Sequence, residues 1–132
     1  ITNPNRMVVS FNGDGCFMML GQEMITAKQF NAPVIFIVVN NGMLGTIRMH
    51  QEREFPNNVM STELMNPDFV QLAESYGAQG ERVTRTEDFE AAFERAVNCG
   101  RSALIELVVD EQALTPAQTL DQVRAAGSVK KK

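Results

Sequence analysis

Residues 12–42 decide the fold, and they read NGDGCFMMLGQEMITAKQFNAPVIFIVVNNG. The segment begins and ends with a turn rich in Gly, Asn and Asp. After the first turn, apolar residues recur every three or four positions, which is typical of an amphipathic helix. Residues 34–39 are then uninterrupted apolar positions, which indicate a strand buried on both faces. The segment therefore predicts a helix and a strand between two acceptor-rich turns.

Neither turn is expected to be a β-hairpin, although Asp-Gly and Asn-Gly pairs are typical of hairpins. A hairpin requires a second strand directly after its turn. Gly15 instead leads into the helical pattern, and the residues after Gly42, MLGTIRMHQERE, do not alternate as a strand does.

The rest of the chain continues the alternation of strands and helices. Asn66 and Thr86 are expected to cap helices, with Pro67 in a first helical turn and with Gly77 and Gly100 at the helix ends. The first helix is expected to bury Phe17, Leu20, Met24, Ala27 and Phe30. We expect strands at residues 7–11, 34–39, 82–83 and 103–109, and helices at 17–30, 66–77, 86–100 and 114–126.

This order predicts a three-layer α/β fold, with a mostly parallel sheet, right-handed crossovers and helices on both faces. A single domain over residues 1–132 is expected. Residues 42–65 form the longest stretch without clear structure, and loops of that length are usually functional.

Composition limits the classes of function. The hydrophobic fraction of 44% and the charged fraction of 21% are ordinary for a globular protein, and no apolar run approaches the length of a membrane span. The net charge of −4 argues against a nucleic-acid partner, so the lysines at 130–132 are expected to be a solvated tail. With two cysteines a disulfide framework is not expected, which fits a cytoplasmic location. The chain starts at Ile1 without a signal peptide, and we expect it to be a piece of a longer protein.

Both turns follow the carboxyl ends of strands, and parallel strands joined by a helix bring those ends to one edge of the sheet. The carboxylate of Asp14 is therefore expected near the amides of Asn40 and Asn41. Such oxygen ligands suit Mg²⁺ or Ca²⁺ rather than zinc, and too few acidic groups are present for a closed cage. Backbone N–H groups in glycine-rich turns bind phosphate, and the glycines in these turns are Gly13, Gly15, Gly42 and Gly45. The pattern predicts a diphosphate anchored through a divalent cation.

The GDG motif, a helix-plus-strand insert at residues 16–39 and then NN together resemble the signature of thiamine diphosphate enzymes, in the domain that holds the diphosphate. The segments GDGCFMMLGQEMITA, VIFIVVNNGMLGTIRMHQERE, NPDFVQLAESYGA and ALIELVVD look like the acetolactate synthase-like branch. The resemblance covers nearly the whole chain. It implies the thiamine diphosphate-binding fold, with thiamine diphosphate and Mg²⁺ as cofactors.

The resemblance also implies a ligand set. Asp14 and Asn41 would ligate Mg²⁺ through their side chains and Met43 through its carbonyl, with two diphosphate oxygens and a water completing six ligands. Asn40 is expected to hold the turn rather than to touch the metal. Backbone N–H groups that would face the diphosphate belong to Gly13, Gly15, Cys16, Leu44 and Gly45.

In the resembled family the first helix after NN faces the substrate, which implies Thr46, Ile47 and His50 as pocket residues. Acetohydroxyacid synthases carry a tryptophan where His50 stands, so the acetohydroxyacid pattern is not fully matched. A lone histidine is as often a surface or packing residue, and both interpretations stay open.

Other polar and sulfur-containing residues are given structural interpretations. Glu23 is expected to be a helix residue rather than a general acid, and Cys16 a small filler rather than a nucleophile. Arg48, Glu52, Arg53 and Glu54 are expected to form a solvated face. Core or pocket lining is expected for Met18, Met19, Met24, Met43 and Met49.

The resemblance implies the cofactor-binding domain of an enzyme acting on 2-oxo acids by decarboxylation and carboligation, inactive alone. No catalytic residue is expected on this chain, because the glutamate that contacts the aminopyrimidine comes from another domain, usually of a partner subunit. A homodimer or homotetramer is expected, and a flavin would occupy a middle domain. The alternatives are an oxidase, a 2-oxo acid decarboxylase or a lyase, and a non-catalytic Mg²⁺- and phosphate-binding or signalling domain.

Overall fold

A computed structural model describes residues 2–3 and 5–129. Residues 1, 4 and 130–132, which include the predicted solvated tail, lie outside the described residues. Within the described part, no helix is long and apolar enough to cross a membrane. Two compact units are present: the first unit is Ile1–Asn40 with Asn66–Val108, and the second unit is Asn41–Met65 with Val109–Lys132. The single domain over the whole chain stays a prediction.

The helices of the described chain are α1 (Asp14–Leu20), α2 (Met24–Gln29), α3 (Gly45–Glu54), α4 (Phe69–Ser75), α5 (Phe89–Asn98) and α6 (Leu120–Val129). Short 3₁₀ turns occupy Gly21–Glu23 and Thr86–Asp88. The strands are β1 (Val9–Gly13), β2 (Ile35–Asn40), β3 (Gln79–Val83) and β4 (Ala103–Val108). All four strands and helices α1, α2, α4 and α5 belong to the first unit, whereas α3 and α6 belong to the second.

The first unit is built on a parallel sheet with strand order β1-β2-β4-β3. The register pairs Gly13 with Val39 and Asn40 with Val108, so β1, β2 and β4 end at one edge. The connection from β1 to β2 and the connection from β3 to β4 run in opposite directions across the sheet. Ligands bind outside the carboxyl ends of the strands in open α/β sheets, which is the edge formed by β1, β2 and β4.

Helices cover both faces of this sheet, as predicted. Phe17 of α1, Met24 of α2 and Phe69 of α4 share one buried cluster with Val38 of β2 and Leu104 of β4. The rings of Phe17 and Phe69 meet edge to face, with centroids 5.7 Å apart. The alternate positions of the strands pack on the opposite face against α5, in a cluster of Ile35, Ile37, Val83, Ala92, Ala96, Ala103 and Ile105. The predicted three-layer α/β fold is confirmed.

The second unit contains the helix pair α3 and α6. Gly127 of α6 lies against the carboxyl end of α3, because a Cβ at this position would come within 2.6 Å of the carbonyl oxygens of Glu52 and Arg53. Only a glycine permits this approach of the two backbones. The expectation that residues 42–65 lack clear structure is wrong, since α3 occupies ten of them.

The first predicted helix differs most from its expectation. It begins at Asp14 rather than at residue 17, and the 3₁₀ turn at Gly21–Glu23 divides it. A 3₁₀ turn advances 120° per residue instead of about 100°, which rotates the following side chains away from a common stripe. Phe17 and Met24 are buried as expected, but Leu20 and Phe30 are 66% and 59% exposed.

Two predicted helix caps are wrong. Asp68 caps α4 by accepting the N–H of Gln71 at 3.0 Å, so Asn66 lies outside the helix. A 3₁₀ turn begins at Thr86, and the side chain of Thr86 makes no cap. Gly77 and Gly100 follow their helices with φ of 78° and 69°, as expected of helix-ending glycines.

The C-terminal helix begins at Leu120 rather than at residue 114. Pro116 disfavours helical backbone at the residue before it. The true start is a capping box, in which Thr119 Oγ1 accepts the N–H of Gln122 at 3.3 Å and Gln122 Oε1 accepts the N–H of Thr119 at 2.9 Å.

Candidate functional site

Asp14 is a buried carboxylate at the edge where the strands of the first unit end. It is the first residue of α1, directly after β1, and is 3% exposed. Its Oδ1 accepts the backbone N–H of Gly15 at 2.8 Å, and its Oδ2 accepts the side-chain amide of Asn66 at 2.8 Å. Both oxygens of this carboxylate are therefore oriented by N–H donors.

The same nitrogen of Asn66 also donates to Oδ1 of Asn40, at 3.0 Å. Asn66 thus joins the residue after β1 to the last residue of β2, and the structure brings Asp14 and Asn40 to one place. Asn40 in turn donates its Nδ2 to Oε1 of Glu106, at 2.7 Å. Asn40 is thus hydrogen-bonded to both Asn66 and Glu106.

Glu106 is a second buried carboxylate in this network, at 2% exposure on β4. Arg82 of β3 donates its Nε to Glu106 at 2.6 Å and pairs with Asp68 at 3.2 Å. Glu106 first, and Asp68 second, raise the pKa of the Arg82 guanidinium. The N–H of Gln71, followed by Arg82, lowers the pKa of Asp68. The network therefore links the sheet edge to the first turn of α4.

Sequence reasoning missed Asn66, Glu106 and Arg82 as site residues. Glu106 interrupts the apolar run ALIELVV, and a charge at the centre of a buried strand needs a partner. That signal pointed to Glu106, whereas nothing local to the sequence pointed to Asn66.

The second unit opens with the other acceptor-rich turn. Oδ1 of Asn41 accepts the N–H of Met43 at 3.2 Å. Gly42 between them has φ of 69°, a conformation that favours glycine. Met43 is 5% exposed, which confirms that its side chain is buried.

Met43 forms an antiparallel bridge with Glu63. Two backbone hydrogen bonds of 2.8 Å flank it, one from the N–H of Leu44 and one to the carbonyl of Gly42. In an extended chain the N–H and C=O of one residue face the same edge, and those of its neighbours face the other. The carbonyl of Met43 therefore points to the side on which its N–H meets Asn41. Two neutral oxygens, from Asn41 and Met43, lie on one side of this turn.

Gly45 begins α3 and lies beneath the side chain of Asn41. A Cβ on Gly45 would be 2.9 Å from Nδ2 of Asn41. No side chain caps α3 at Leu44, and the N–H of Leu44 donates to the carbonyl of Thr62 at 2.8 Å. The first N–H groups of a helix have no intrahelical partner, which makes this terminus suitable for an anion.

The pocket residues implied by the resemblance share a surface. Thr46, Ile47 and His50 lie on α3 at the spacing of one helical face, and all three are exposed.

In the first unit, Gly13 ends β1 in open space, since no atom lies within 4 Å of a Cβ built there. Cys16 is exposed with a free thiol, so the expectation of a packed filler is wrong.

Other structural expectations are also corrected. Glu52 is 1% exposed and paired with Arg48 and Arg124, so it is not part of a solvated face. Met18 and Met19 are 49% and 68% exposed, because they lie on the outer side of the short helix α1. Met24 and Met43 are buried as expected. Glu23 is exposed in the 3₁₀ turn and accepts the Thr26 hydroxyl at 2.7 Å.

Each turn, taken by itself, offers oxygen donors that suit a hard cation. The first turn has a buried carboxylate, and the second has an amide oxygen and a backbone carbonyl, all of which are ligand types that Mg²⁺ takes in proteins. Among residues 2–3 and 5–129, no three His, Cys, Asp or Glu side chains form a cluster that could hold a metal ion.

Comparison with known proteins agrees with this chemistry. Residues 1–107 match the family described as thiamine pyrophosphate enzyme, C-terminal TPP binding domain, thiamine pyrophosphate being another name for thiamine diphosphate. The acetolactate synthase isozyme 2 large subunit of Escherichia coli is 36% identical over 112 residues, which are 84% of this chain and 20% of that protein. The acetolactate synthase large subunit of Corynebacterium glutamicum is 35% identical over 116 residues, 83% of this chain and 18% of that protein.

A solved structure is similar as well. The thiamine diphosphate-dependent 4-hydroxybenzoylformate decarboxylase of Rhodococcus jostii superposes with a TM-score of 0.75 at 33% identity, over 81% of this chain and 20% of that one. The chain spans about a fifth of the length of the relatives it matches. By the extent of these matches, the chain belongs to the thiamine pyrophosphate enzymes and is their C-terminal TPP-binding domain, of the acetolactate synthase-like branch.

Proposed function

We propose that this chain holds the diphosphate of thiamine diphosphate through Mg²⁺, in an enzyme that decarboxylates a 2-oxo acid and joins the remaining fragment to a second substrate. The observation that carries the proposal is the burial and orientation of the Asp14 carboxylate. This carboxylate is buried at the edge where the strands end, and N–H donors from Gly15 and Asn66 already orient both of its oxygens.

The metal ligands in this proposal are Asp14 and Asn41 through their side chains and Met43 through its carbonyl. Asp14 is supported by its burial and orientation. Asn41 and Met43 are supported by the turn that directs their two oxygens to one side. The N–H of Met43 does not compete for the metal position on Asn41, because an amide oxygen has two lone pairs. Two diphosphate oxygens and a water would complete the shell.

The diphosphate would be bound by backbone N–H groups rather than by basic side chains. Gly45 begins α3 at a terminus with no side-chain cap, where the helix dipole favours an anion. The N–H of Leu44 would exchange its bond to Thr62 for one to the diphosphate, and the N–H of Gly15 would be shared with Asp14. The first turn would contribute Gly13, Gly15 and Cys16.

When bound, thiamine diphosphate supplies the carbanion chemistry and the electron sink for decarboxylation. The residues of this chain bind and orient it, while Thr46, Ile47 and His50 present a face to the substrate. No catalytic residue is assigned to this chain. We propose that a pyrimidine-binding domain of the same or a partner subunit supplies the catalytic glutamate, in a homodimer or homotetramer in the cytoplasm.

A second candidate is simple decarboxylation of a 2-oxo acid without carboligation. One observation favours it, because the structural relative is a decarboxylase. The resemblance described above agrees with it, since it implies tryptophan in acetohydroxyacid synthases where this chain has His50. Product analysis separates the two, since carboligation yields a 2-hydroxy-2-methyl acid of the acetolactate type whereas decarboxylation releases the aldehyde. Omission of flavin from the assay tests whether the enzyme requires one.

Calorimetric titration of the full-length protein with thiamine diphosphate, in the presence and absence of Mg²⁺, tests cofactor binding. Asp14→Ala should abolish Mg²⁺-dependent binding, because it removes the one charged ligand. Asp88→Ala, an exposed aspartate in the same unit, is the matched control and should bind as the wild type does. Affinity of Asp14→Ala within about threefold of wild type would refute the ligand assignment. Inorganic pyrophosphate bound as tightly as thiamine diphosphate would instead indicate a general phosphate-binding domain.

A further inference from the structure

We infer that Asn66 is a positioning residue, which fixes the orientation of the Asp14 carboxylate before a cation binds and so tunes the site for Mg²⁺ over Ca²⁺. This inference rests on the proposed function of Asp14 as a ligand. Asn66 was not expected to take part in the site, because its predicted role was to cap α4.

The geometry assigns Asn66 to Asp14 and Asn40 at once, and all three residues belong to the first unit. A single nitrogen, Nδ2, lies 2.8 Å from Oδ2 of Asp14 and 3.0 Å from Oδ1 of Asn40. An amide NH₂ group has two donor hydrogens, so both bonds can be full hydrogen bonds. One acceptor is the first residue of α1 and the other is the last residue of β2, so Asn66 connects the ends of two neighbouring strands.

The distances assign a consistent direction to the hydrogen bonds that link Arg82, Glu106, Asn40, Asn66 and Asp14. Arg82 is donor-only, so both bonds at Glu106 are accepted by its carboxylate. Asn40 must therefore turn its NH₂ to Glu106 and its oxygen to Asn66. Asn66 must then turn its own NH₂ to Asn40 and Asp14. If the side-chain amide of Asn40 or of Asn66 were flipped, its oxygen would face another oxygen atom.

The Asn66 bond matters for metal binding because the Asp14 carboxylate that accepts this bond is also the proposed metal ligand. The Asn66 bond limits rotation of the carboxylate about its Cβ–Cγ bond, which sets where its remaining lone pairs point. Partners that orient a metal ligand typically change metal affinity by about 10- to 100-fold when they are removed. Mg²⁺ requires a near-ideal octahedron, whereas Ca²⁺ accepts six to eight ligands in flexible geometry. Loss of orientation should therefore affect Mg²⁺ more than Ca²⁺.

The test titrates Mg²⁺ and, separately, Ca²⁺ into the full-length protein with thiamine diphosphate present, for wild type, Asn66→Ala and Asn98→Ala. Asn98→Ala is the matched control, because its exposed amide donates at 2.8 Å to the carbonyl of Glu94 within α5. We expect the Mg²⁺ dissociation constant of Asn66→Ala to rise by about 10- to 100-fold, and that of Ca²⁺ by less than about threefold. The control should match wild type for both ions.

Each outcome separates this inference from the proposed function. Equal weakening of Mg²⁺ and Ca²⁺ would overturn the positioning role, because it would indicate a merely structural effect. Unchanged Mg²⁺ affinity in Asn66→Ala would also overturn it, while leaving the proposed function intact. Failure of wild type itself to bind Mg²⁺ with the cofactor would refute the proposed function. If Asn66→Ala does not fold by circular dichroism, Asn66→Ser is judged by the same selectivity, because its hydroxyl lies one bond short of the amide nitrogen that reaches Asp14 and Asn40.

Discussion

Replacement of Glu52 by Gln is expected to loosen the helix pair of the second unit. Glu52 is 1% exposed on α3. Arg124 of α6 donates to both of its carboxylate oxygens at 2.9 Å, Arg48 donates at 3.1 Å, and the N–H of Asn57 donates at 3.0 Å. The hydrogen bonds from Arg124, then those from Asn57 and Arg48, outweigh burial and lower the pKa of Glu52 to about 2. The carboxylate is thus charged throughout the neutral range and joins α3 to α6.

The magnitude follows from the pKa. A shift from 4.5 to about 2 corresponds to about 3 kcal/mol at neutral pH, since one pKa unit is about 1.4 kcal/mol. Because the folded pKa is lowered, this stabilisation is present above pH 4.5 and is lost as the pH falls towards 2. Glu52→Gln removes the charge at every pH and leaves two arginines beside a neutral amide. Removal of one partner from a buried ion pair costs about 3–5 kcal/mol, in agreement with this value.

Hydrogen exchange of the α6 backbone amides measures the effect, because it reports local opening of that helix. Protection at pH 7 should fall about 100-fold in Glu52→Gln, at about 1.4 kcal/mol per factor of ten. Glu54→Gln, an exposed residue of the same helix, is the matched control and should leave protection unchanged. In wild type, the protection of the α6 amides, corrected for the intrinsic pH dependence of exchange, should fall as the pH is lowered from 4.5 to 2. In Glu52→Gln the corrected protection should not change over this range, because the titrating carboxylate is absent. Equal protection in the two variants would refute the reasoning.

Two further predictions concern glycines whose missing Cβ permits a close approach. Gly45→Ala places a Cβ 2.9 Å from Nδ2 of Asn41, which is the movable end of a side chain. We therefore expect an unchanged melting temperature but Mg²⁺ binding weakened by about tenfold or more. Wild-type Mg²⁺ affinity in calorimetry would contradict the role of Asn41. Gly80→Ala places a Cβ 2.6 Å from the backbone oxygen of Val70, which forces α4 away from β3 and should destabilise the fold by about 1–3 kcal/mol in denaturant titration. Gly13→Ala, in open space, is its control and should unfold as wild type does; equal stability of the two variants would show that α4 has room to move.

The parallel sheet could be predicted because its strands carry their signal locally. The apolar run at residues 34–39 and the acceptor-rich turns at both ends of its insert are readable from the sequence, and β2 lies within one residue of its expected bounds. The expectation of a diphosphate held through a cation followed from the same turns, since the carboxyl ends of parallel strands share an edge. The individual ligands were implied by the family resemblance. The position of Asp14 at that edge is therefore a consequence of topology.

The errors at Asn66 and Glu52 have a different origin, which is contact between residues distant in sequence. Asn66 looks like a helix cap locally, but it is 52 residues from Asp14 and 26 from Asn40, and no local pattern encodes those bonds. Glu52 reads as one of several surface charges until α6 brings Arg124 to it across 72 residues. Leu20 was misplaced for a local reason, because a 3₁₀ turn does not follow the period on which helical stripes are counted.

Arg82 is the partly exposed member of the hydrogen-bond network that includes Glu106, Asn40, Asn66 and Asp14. Its side chain is 42% exposed, yet it neutralises Glu106, and through Glu106 and Asn40 it is connected to the donor that orients Asp14. A natural variant at Arg82 would be classed as a tolerated surface change by exposure alone. It would leave an uncompensated charge beneath the turn, and its phenotype would resemble cofactor deficiency, with function restored by excess magnesium rather than by a lower growth temperature.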